Sequence, residues 1–205
     1  MSIGRLDAIV IGGSAGALEA LGRLLPALPA DMSVAVAIVV HLPPTRPSHL
    51  AEVLGGKTRL PVKEVEDKEP VVPGTVYVAP PGYHLLIEKG RTFALSTDDL
   101  VHFSRPAIDV LFESAAEVYG DRLAGIILTG ANADGARGLL AIKRRGGLAV
   151  VQSPEGALAA AMPEAAIATA HADHVLPVEG IAALLATLAG GERPGARGAT
   201  MTEPR

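Results

Sequence analysis

Ser14 stands in the run Gly12-Gly13-Ser14-Ala15-Gly16, directly after the apolar stretch Ala8-Ile9-Val10-Ile11 and directly before a stretch that reads as a helix. A serine on such a strand-to-helix corner is a candidate nucleophile. Small neighbours permit a tight turn, and a helix start offers backbone N–H groups with no partner inside the helix. His41 closes a second apolar run, Val34 to Val40, and Asp134 follows a third, Ile126-Ile127-Leu128-Thr129, after a short glycine-containing loop. A serine hydroxyl is a weak nucleophile at neutral pH, so an imidazole must take its proton and a carboxylate must hold that imidazole in the right tautomer. Ser14, His41 and Asp134 supply these three residue types. Each lies just past the carboxyl end of a predicted strand, where ligands bind in open α/β sheets. Backbone N–H groups at Ala15, or in the loop Gly130-Ala131-Asn132, are candidates for stabilising an oxyanion.

Each of the three also has a plain structural reading. Ser14 can cap the following helix, or its loop can cradle a phosphate; His41 can be a histidine packed at a strand end; Asp134, before Gly135-Ala136-Arg137, can be an N-cap. The glycine cluster lacks the G-x-G-x-x-G spacing of a dinucleotide site, and no Gly-Lys-Ser/Thr closes it as in a P-loop. His49, His84, His102, His171 and His174 show no metal-ligand spacing, so they are expected to be structural or exposed, with no metal and no cofactor. Chain order discriminates further. Ser14, His41, Asp134 runs nucleophile, base, acid, whereas α/β-hydrolases run nucleophile, acid, base, which argues against a lipase or esterase of that fold.

The elements that must position these residues follow from periodicity. Short aliphatic runs alternate with amphipathic stretches, which predicts an α/β sheet buried on both faces. Strands are expected at Ala8 to Ile11, Val34 to Val40, Ala124 to Thr129, Leu148 to Gln152 and His174 to Pro177. Helices are expected at Leu18 to Leu25, Ser48 to Leu54, Ile108 to Tyr119, Gly135 to Arg145, Pro163 to Ala170 and Ile181 to Leu188. In the first helix Leu18, Leu21 and Leu25 recur at three- and four-residue steps, which predicts that all three face the sheet. Between Leu60 and Leu95 brief strands with turn residues predict hairpin-like excursions.

The chain has 205 residues, 49% of them hydrophobic, enough for one sizeable core. We expect one domain over residues 1–190 and a flexible tail over 191–205. The net charge of −4, with lysine and arginine scattered, offers no basic stripe, so nucleic acid is not an expected partner. The absence of cysteine removes disulfides and thiolate chemistry. No apolar stretch approaches the roughly 20 residues needed to cross a bilayer, so a cytoplasmic protein that is not membrane-inserted is expected.

Five blocks resemble the catalytic domain of the chemotaxis protein-glutamate methylesterases, the CheB family. They are Ile11-Gly12-Gly13-Ser14-Ala15-Gly16; Val39-Val40-His41-Leu42-Pro43; Pro73-Gly74-Thr75-Val76-Tyr77-Val78-Ala79-Pro80-Pro81; Arg105-Pro106-Ala107-Ile108-Asp109-Val110-Leu111-Phe112; and Leu128-Thr129-Gly130-Ala131-Asn132-Ala133-Asp134-Gly135-Ala136-Arg137-Gly138-Leu139. With Ala161-Met162-Pro163 they span nearly all of residues 5 to 190. The resemblance implies a doubly wound, mainly parallel sheet with helices on both faces. It implies Ser14 as nucleophile, His41 as base and Asp134 as third member of a triad. The implied activity is hydrolysis of glutamate methyl esters, and of glutamine side-chain amides, on methyl-accepting chemotaxis receptors or related signalling proteins.

The family has Ser-Thr-Gly where this chain has Ser14-Ala15-Gly16, and Gly-Met-Gly where it has Gly130-Ala131-Asn132. The backbone N–H of Ala131 can still serve an oxyanion, while Asn132 is expected to reshape the pocket. Glu155, Met162 and Pro163 follow a late strand and can line the mouth of the site, with Arg137 nearby to meet an acidic receptor segment, though a purely structural role fits each of the four equally well. Many family members carry an N-terminal receiver domain. We expect a stand-alone form here, gated, if at all, by a separate receiver-domain regulator. Two other readings stay open: a docking or regulatory module with altered chemistry, and a small-molecule esterase.

Overall fold

The computed structural model describes residues 6–41 and 48–189. Seven strands form one wholly parallel sheet in the order β3-β4-β2-β1-β7-β8-β9. They are β1 (Ala8–Gly13), β2 (Ala35–Val40), β3 (Val62–Glu64), β4 (Val76–Val78), β7 (Leu123–Ile127), β8 (Leu148–Gln152) and β9 (His174–Leu176). The central strands β1, β2, β7 and β8 are buried at every position, as strands covered on both faces must be. The doubly wound, mainly parallel architecture read from the sequence is what forms. The expected tail over 191–205 lies outside the described residues.

Alternation along the strands divides the core in two. Ile9, Ile11, Val36, Ile38, Ile126 and Val150 face helices α1 (Ala17–Leu24), α2 (Leu50–Gly55) and α6 (Val178–Ala189). On the other face the strands present small residues, Ala8, Gly12, Ala37, Gly125 and Ala149, which lets α3 (Ile108–Tyr119) and α4 (Ala136–Arg144) press close. A Cβ on Gly12 would lie 2.3 Å from Ile108 Cγ2, and one on Gly125 would lie 2.5 Å from Ile142 Cδ1. Helix α5 (Ala161–Ala170) completes this layer with Met162 and Ala166.

Three expectations are corrected. Leu18 faces solvent at 46% exposure, and the buried stripe of α1 is Ala17, Ala20, Leu21 and Leu24; the helix starts at Ala17, and Leu25 belongs to the following 3-10 turn containing Pro26. Among the described residues, only β5 (His84–Ile87) and β6 (Phe93–Ser96) form a hairpin, and it packs over the α3 face. The neighbouring strands β3 and β4 instead extend the parallel sheet beyond β2.

Candidate active site

After β1 the chain turns into α1 on one face, whereas after β7 it turns into α4 on the other. Strands β1 and β7 are neighbours, so their departing loops diverge and open a crevice at the switch point of the sheet. Ser14 enters this crevice from β1. His41 enters beside it from β2, because Gly13 is paired with Val40 and the His41 N–H donates to Gly13 O at 3.2 Å. Ser14 and His41 are thus the next pair of positions on strands about 4.8 Å apart. The Ser14 N–H donates to Thr129 O (2.9 Å), which ties the serine to the end of β7.

Asp134 comes from the loop after β7, is fully buried, and lies 2.7 Å from His41 through Oδ2 and the imidazole Nε2. It caps a helix, but not the one that follows it. The N–H groups of Ile108 (2.7 Å) and Asp109 (3.0 Å), the first residues of α3, donate to its two oxygens, while the N-cap of α4 is Gly135, which has no side chain to cap with. The debt is returned by Asp109, whose Oδ1 accepts the Gly138 N–H of α4 at 2.7 Å. Each helix therefore receives its cap from the other's chain segment. Ser14 is not a cap either, since the N-cap of α1 is Gly16 and no side chain caps it.

The two carboxyls are driven apart electrostatically. Burial alone would push Asp134 up, but the His41 hydrogen bond and the Asp109 and Ile108 N–H groups outweigh it and hold its carboxyl below the ordinary value. For Asp109 burial wins over the Gly138 N–H, the charge on Asp134 adds to it, and the carboxyl is pushed up. An ionised Asp134 beside Nε2 selects the tautomer that carries its proton there. Nδ1 is left with the lone pair. The familiar serine triad uses the two nitrogens the other way round.

Ala15 and Ala131 are both exposed, and no group among the described residues accepts from either N–H. Asn132 turns its side chain back into its own loop, Oδ1 accepting the Asp134 N–H at 3.1 Å. Met162 is 1% exposed and does not reach the mouth as expected; it packs on Gly130, where an added Cβ would lie 2.5 Å from Met162 Cε. Pro163 is buried beside it, Glu155 is exposed against Ser153, and Arg137 is exposed 3.6 Å from Glu113. A cleft of about 280 Å³ opens next to Gly16, between α1 and the segment Gln152 to Leu158.

Three supporting residues were not singled out by sequence reasoning. Thr129 Oγ1 donates to Ala15 O and accepts the Ala159 N–H, each at 2.9 Å, and so fastens the serine loop to the segment before α5. Gln152 is buried and accepts the Thr129 N–H through Oε1 at 2.9 Å. Asp109 is the third. Its only local signal was an acidic residue in the first turn of a predicted helix, which fits the helix dipole equally well. His84 is structural as expected: Nδ1 accepts the Ala107 N–H (3.2 Å) and Nε2–H donates to Asp99 O (3.0 Å). Two other histidines do face carboxylates: His49 lies 3.3 Å from Glu52 on exposed α2, and His102 lies 3.3 Å from Asp109.

The family model for CheB methylesterase matches residues 9–185. A Leptospira interrogans protein, provisionally named protein-glutamate methylesterase/protein-glutamine glutaminase, is 50% identical over 182 residues, which is 89% of this chain and 94% of that protein. The protein-glutamate methylesterase/protein-glutamine glutaminase of Symbiobacterium thermophilum is 38% identical over 85% of this chain but only 48% of its own length. The crystal structure of the Thermotoga maritima CheB methylesterase catalytic domain superposes with a TM-score of 0.85 at 35% identity, covering 90% of this chain and all of that domain. No helix among the described residues is long and apolar enough to cross a membrane.

Proposed function

Because the chain belongs to the CheB methylesterase family, we propose that it hydrolyses glutamate methyl esters, and glutamine side-chain amides, on chemotaxis receptors or related signalling proteins in the cytoplasm. The observation that carries this reading is the 2.7 Å contact between His41 and Asp134, with Ser14 at the adjoining position of the next strand. Ser14 Oγ attacks the ester carbonyl while His41 Nδ1 takes its proton. The ionised Asp134 steadies the imidazolium that forms. The free N–H groups of Ala15 and Ala131 receive the oxyanion. His41 then protonates the departing methanol, or ammonia from an amide, leaving an acyl-enzyme at Ser14. Water activated by the same imidazole releases the glutamate.

The two departures from the family pattern are compatible with this chemistry. Ala15 and Ala131 would contribute backbone, not side chain. Asn132 is occupied within its own turn and so is held away from the crevice. The test is methanol release from a methylated receptor, together with labelling by a serine-directed phosphonate. Wild type should do both, and Ser14→Ala should do neither. Methanol release that persists at the wild-type rate in Ser14→Ala or His41→Ala would reject the triad.

A further inference from the structure

Two large apolar side chains face solvent beside the crevice. Among the described residues Phe103 (97% exposed) and Leu158 (79%) are the most exposed of the large hydrophobic side chains. They border the crevice from opposite sides. Leu158 stands against Gly16, the N-cap of α1, where an added Cβ would lie 2.7 Å from Leu158 Cβ. Phe103 belongs to the turn that carries His102 to Asp109 at the start of α3. His102 Nε2 lies 3.3 Å from Asp109 Oδ2 and within 4.8 Å of an Asp134 oxygen. Helices α1 and α3 cover opposite faces of the sheet, so Leu158 and Phe103 bracket the crevice that Ser14 and His41 enter.

The Phe103 turn is held against its own backbone preference. Val101 and Ser104 exchange both backbone hydrogen bonds (3.2 and 2.9 Å) and close a two-residue turn. Its central residues, His102 at φ 50° and Phe103 at φ 59°, are both left-handed. Turns of that kind favour Asn-Gly, because a Cβ is crowded there. His102 is tied down by Asp109, and Arg105 fixes the stem, donating through Nη1 to Thr97 O (2.7 Å) and Asp98 O (2.9 Å). Phe103 recovers nothing from the interior. Leu100, on the way into the turn, is exposed as well. Exposed Tyr83 joins them, since Gly82 N–H donates to Arg105 O and the His84 ring to Asp99 O. Strain that no internal contact offsets, on a turn fixed beside a crevice, marks an aromatic displayed for a partner.

The place of these side chains selects the partner. On the functional reading above, the reacting ester ends a short glutamate side chain, so the backbone that carries it must come down onto the crevice when the carbonyl reaches Ser14. The residues flanking that glutamate then lie over the two walls, where Phe103 and Leu158 stand. We propose, resting on that reading, that Phe103 and Leu158 are specificity residues that seat apolar side chains on either side of the esterified glutamate of the substrate protein.

The test uses two synthetic peptides with one glutamate methyl ester each, flanked by leucines in one and by serines in the other. Wild type should hydrolyse the leucine-flanked peptide with kcat/KM at least about tenfold higher, the difference residing in KM, as partial burial of two leucine side chains supplies. In the double variant Phe103→Ser with Leu158→Ser that preference should fall to about twofold or less, while phosphonate labelling of Ser14 keeps its wild-type rate. Phe103→Gly should lose most of the preference yet melt no lower than wild type, since glycine relieves the left-handed backbone. Equal hydrolysis of the two peptides by wild type, or a preference retained in the double variant, overturns the proposal. Slower labelling also overturns it, since the side chains would then be supports of the nucleophile loop. A wild-type dimer in sedimentation that the double variant dissolves would assign the surface to a second copy of the chain instead. Wild type that hydrolyses neither peptide would reject the functional reading. Calorimetry on Ser14→Ala would then decide the docking surface alone: binding at least about tenfold tighter for the leucine-flanked peptide supports it, and equal affinities overturn it.

Discussion

The loops that follow β1 and β7 share a backbone device. Each turns from its strand into its helix through a glycine in the left-handed region, Gly16 at φ 84° and Gly135 at φ 93°, and in neither loop does the N-cap residue itself supply a side-chain cap. Their surroundings differ completely. The first loop leaves Ser14 half-buried and Ala15 exposed, and its glycine is backed by Leu158, a side chain that is 79% exposed. The second buries Asp134 fully, fills both its oxygens, and backs its glycine with Ile127 and Ile108 in the core. One loop leaves its serine and the following alanine open to solvent. The other is built to keep one charge fixed where water does not compete with it.

The contrast predicts that damage to the first loop costs activity alone, while damage to the second costs activity and stability together. Ser14→Ala should lower kcat by about 10⁴–10⁶-fold yet move the unfolding free energy by no more than about 0.5 kcal/mol. Asp134→Asn should lower kcat by about 10⁴-fold and also destabilise by about 1–3 kcal/mol, because the start of α3 loses its anionic acceptor. Paired kinetics and urea melts check both. Equal stability losses in the two variants would erase the distinction.

A smaller effect separates the glycines. At either position alanine incurs about 1–2 kcal/mol for its left-handed backbone. At Gly135 the new Cβ would also meet Ile127 Cδ1 at 2.5 Å and Ile108 Cγ2 at 2.7 Å, both in the packed core. That adds about 1–3 kcal/mol of overpacking. At Gly16 the new Cβ would meet Leu158 Cβ at 2.7 Å, on an exposed side chain, and the buried Thr129 Cγ2 at 3.0 Å, a looser fit than at Gly135. Thermal melts should therefore rank Gly135→Ala below Gly16→Ala.

The smallest effect is in the pH dependence of folding. Asp134 has a depressed carboxyl, so its stabilisation is present above the ordinary carboxylate value and is lost as acid protonates it in the fold. Asp109 has a raised carboxyl and acts in the opposite sense: its charge opposes folding at neutral pH, and that penalty fades as pH falls through its raised value. Asp109→Asn should gain stability relative to wild type at neutral pH and lose that advantage in acid. Urea melts across pH measure the difference, and an advantage that grows in acid would contradict the assignment.

Much of this site was legible because Ser14, His41 and Asp134 each follow an apolar run, and runs of that kind become buried parallel strands. What could not be read was which segments meet across the sheet. Local spacing placed Asp134 at the start of α4, whereas its carboxylate caps α3, 26 residues earlier. The Leu18 expectation failed for a related reason. Leu18 and Leu21 fit a helical stripe, yet the true stripe includes Ala17 and Ala20, small residues that carry little hydropathic signal. Likewise β3 and β4 are only three residues each, too short to show whether they close a hairpin or extend a distant sheet.

The exchange of caps between α3 and α4 also sets when in the life of the chain this chemistry can exist. Asp134 finds its N–H donors only once α3 has docked, and Gly138 finds its acceptor only once α4 lies beside it. The amides of Ile108, Asp109 and Gly138 should thus exchange with deuterium as one group, released in a single opening event. A nascent or partly unravelled chain, with β1 and β2 already paired, would display serine and histidine without their anion and so be inert toward esters until the fold is complete.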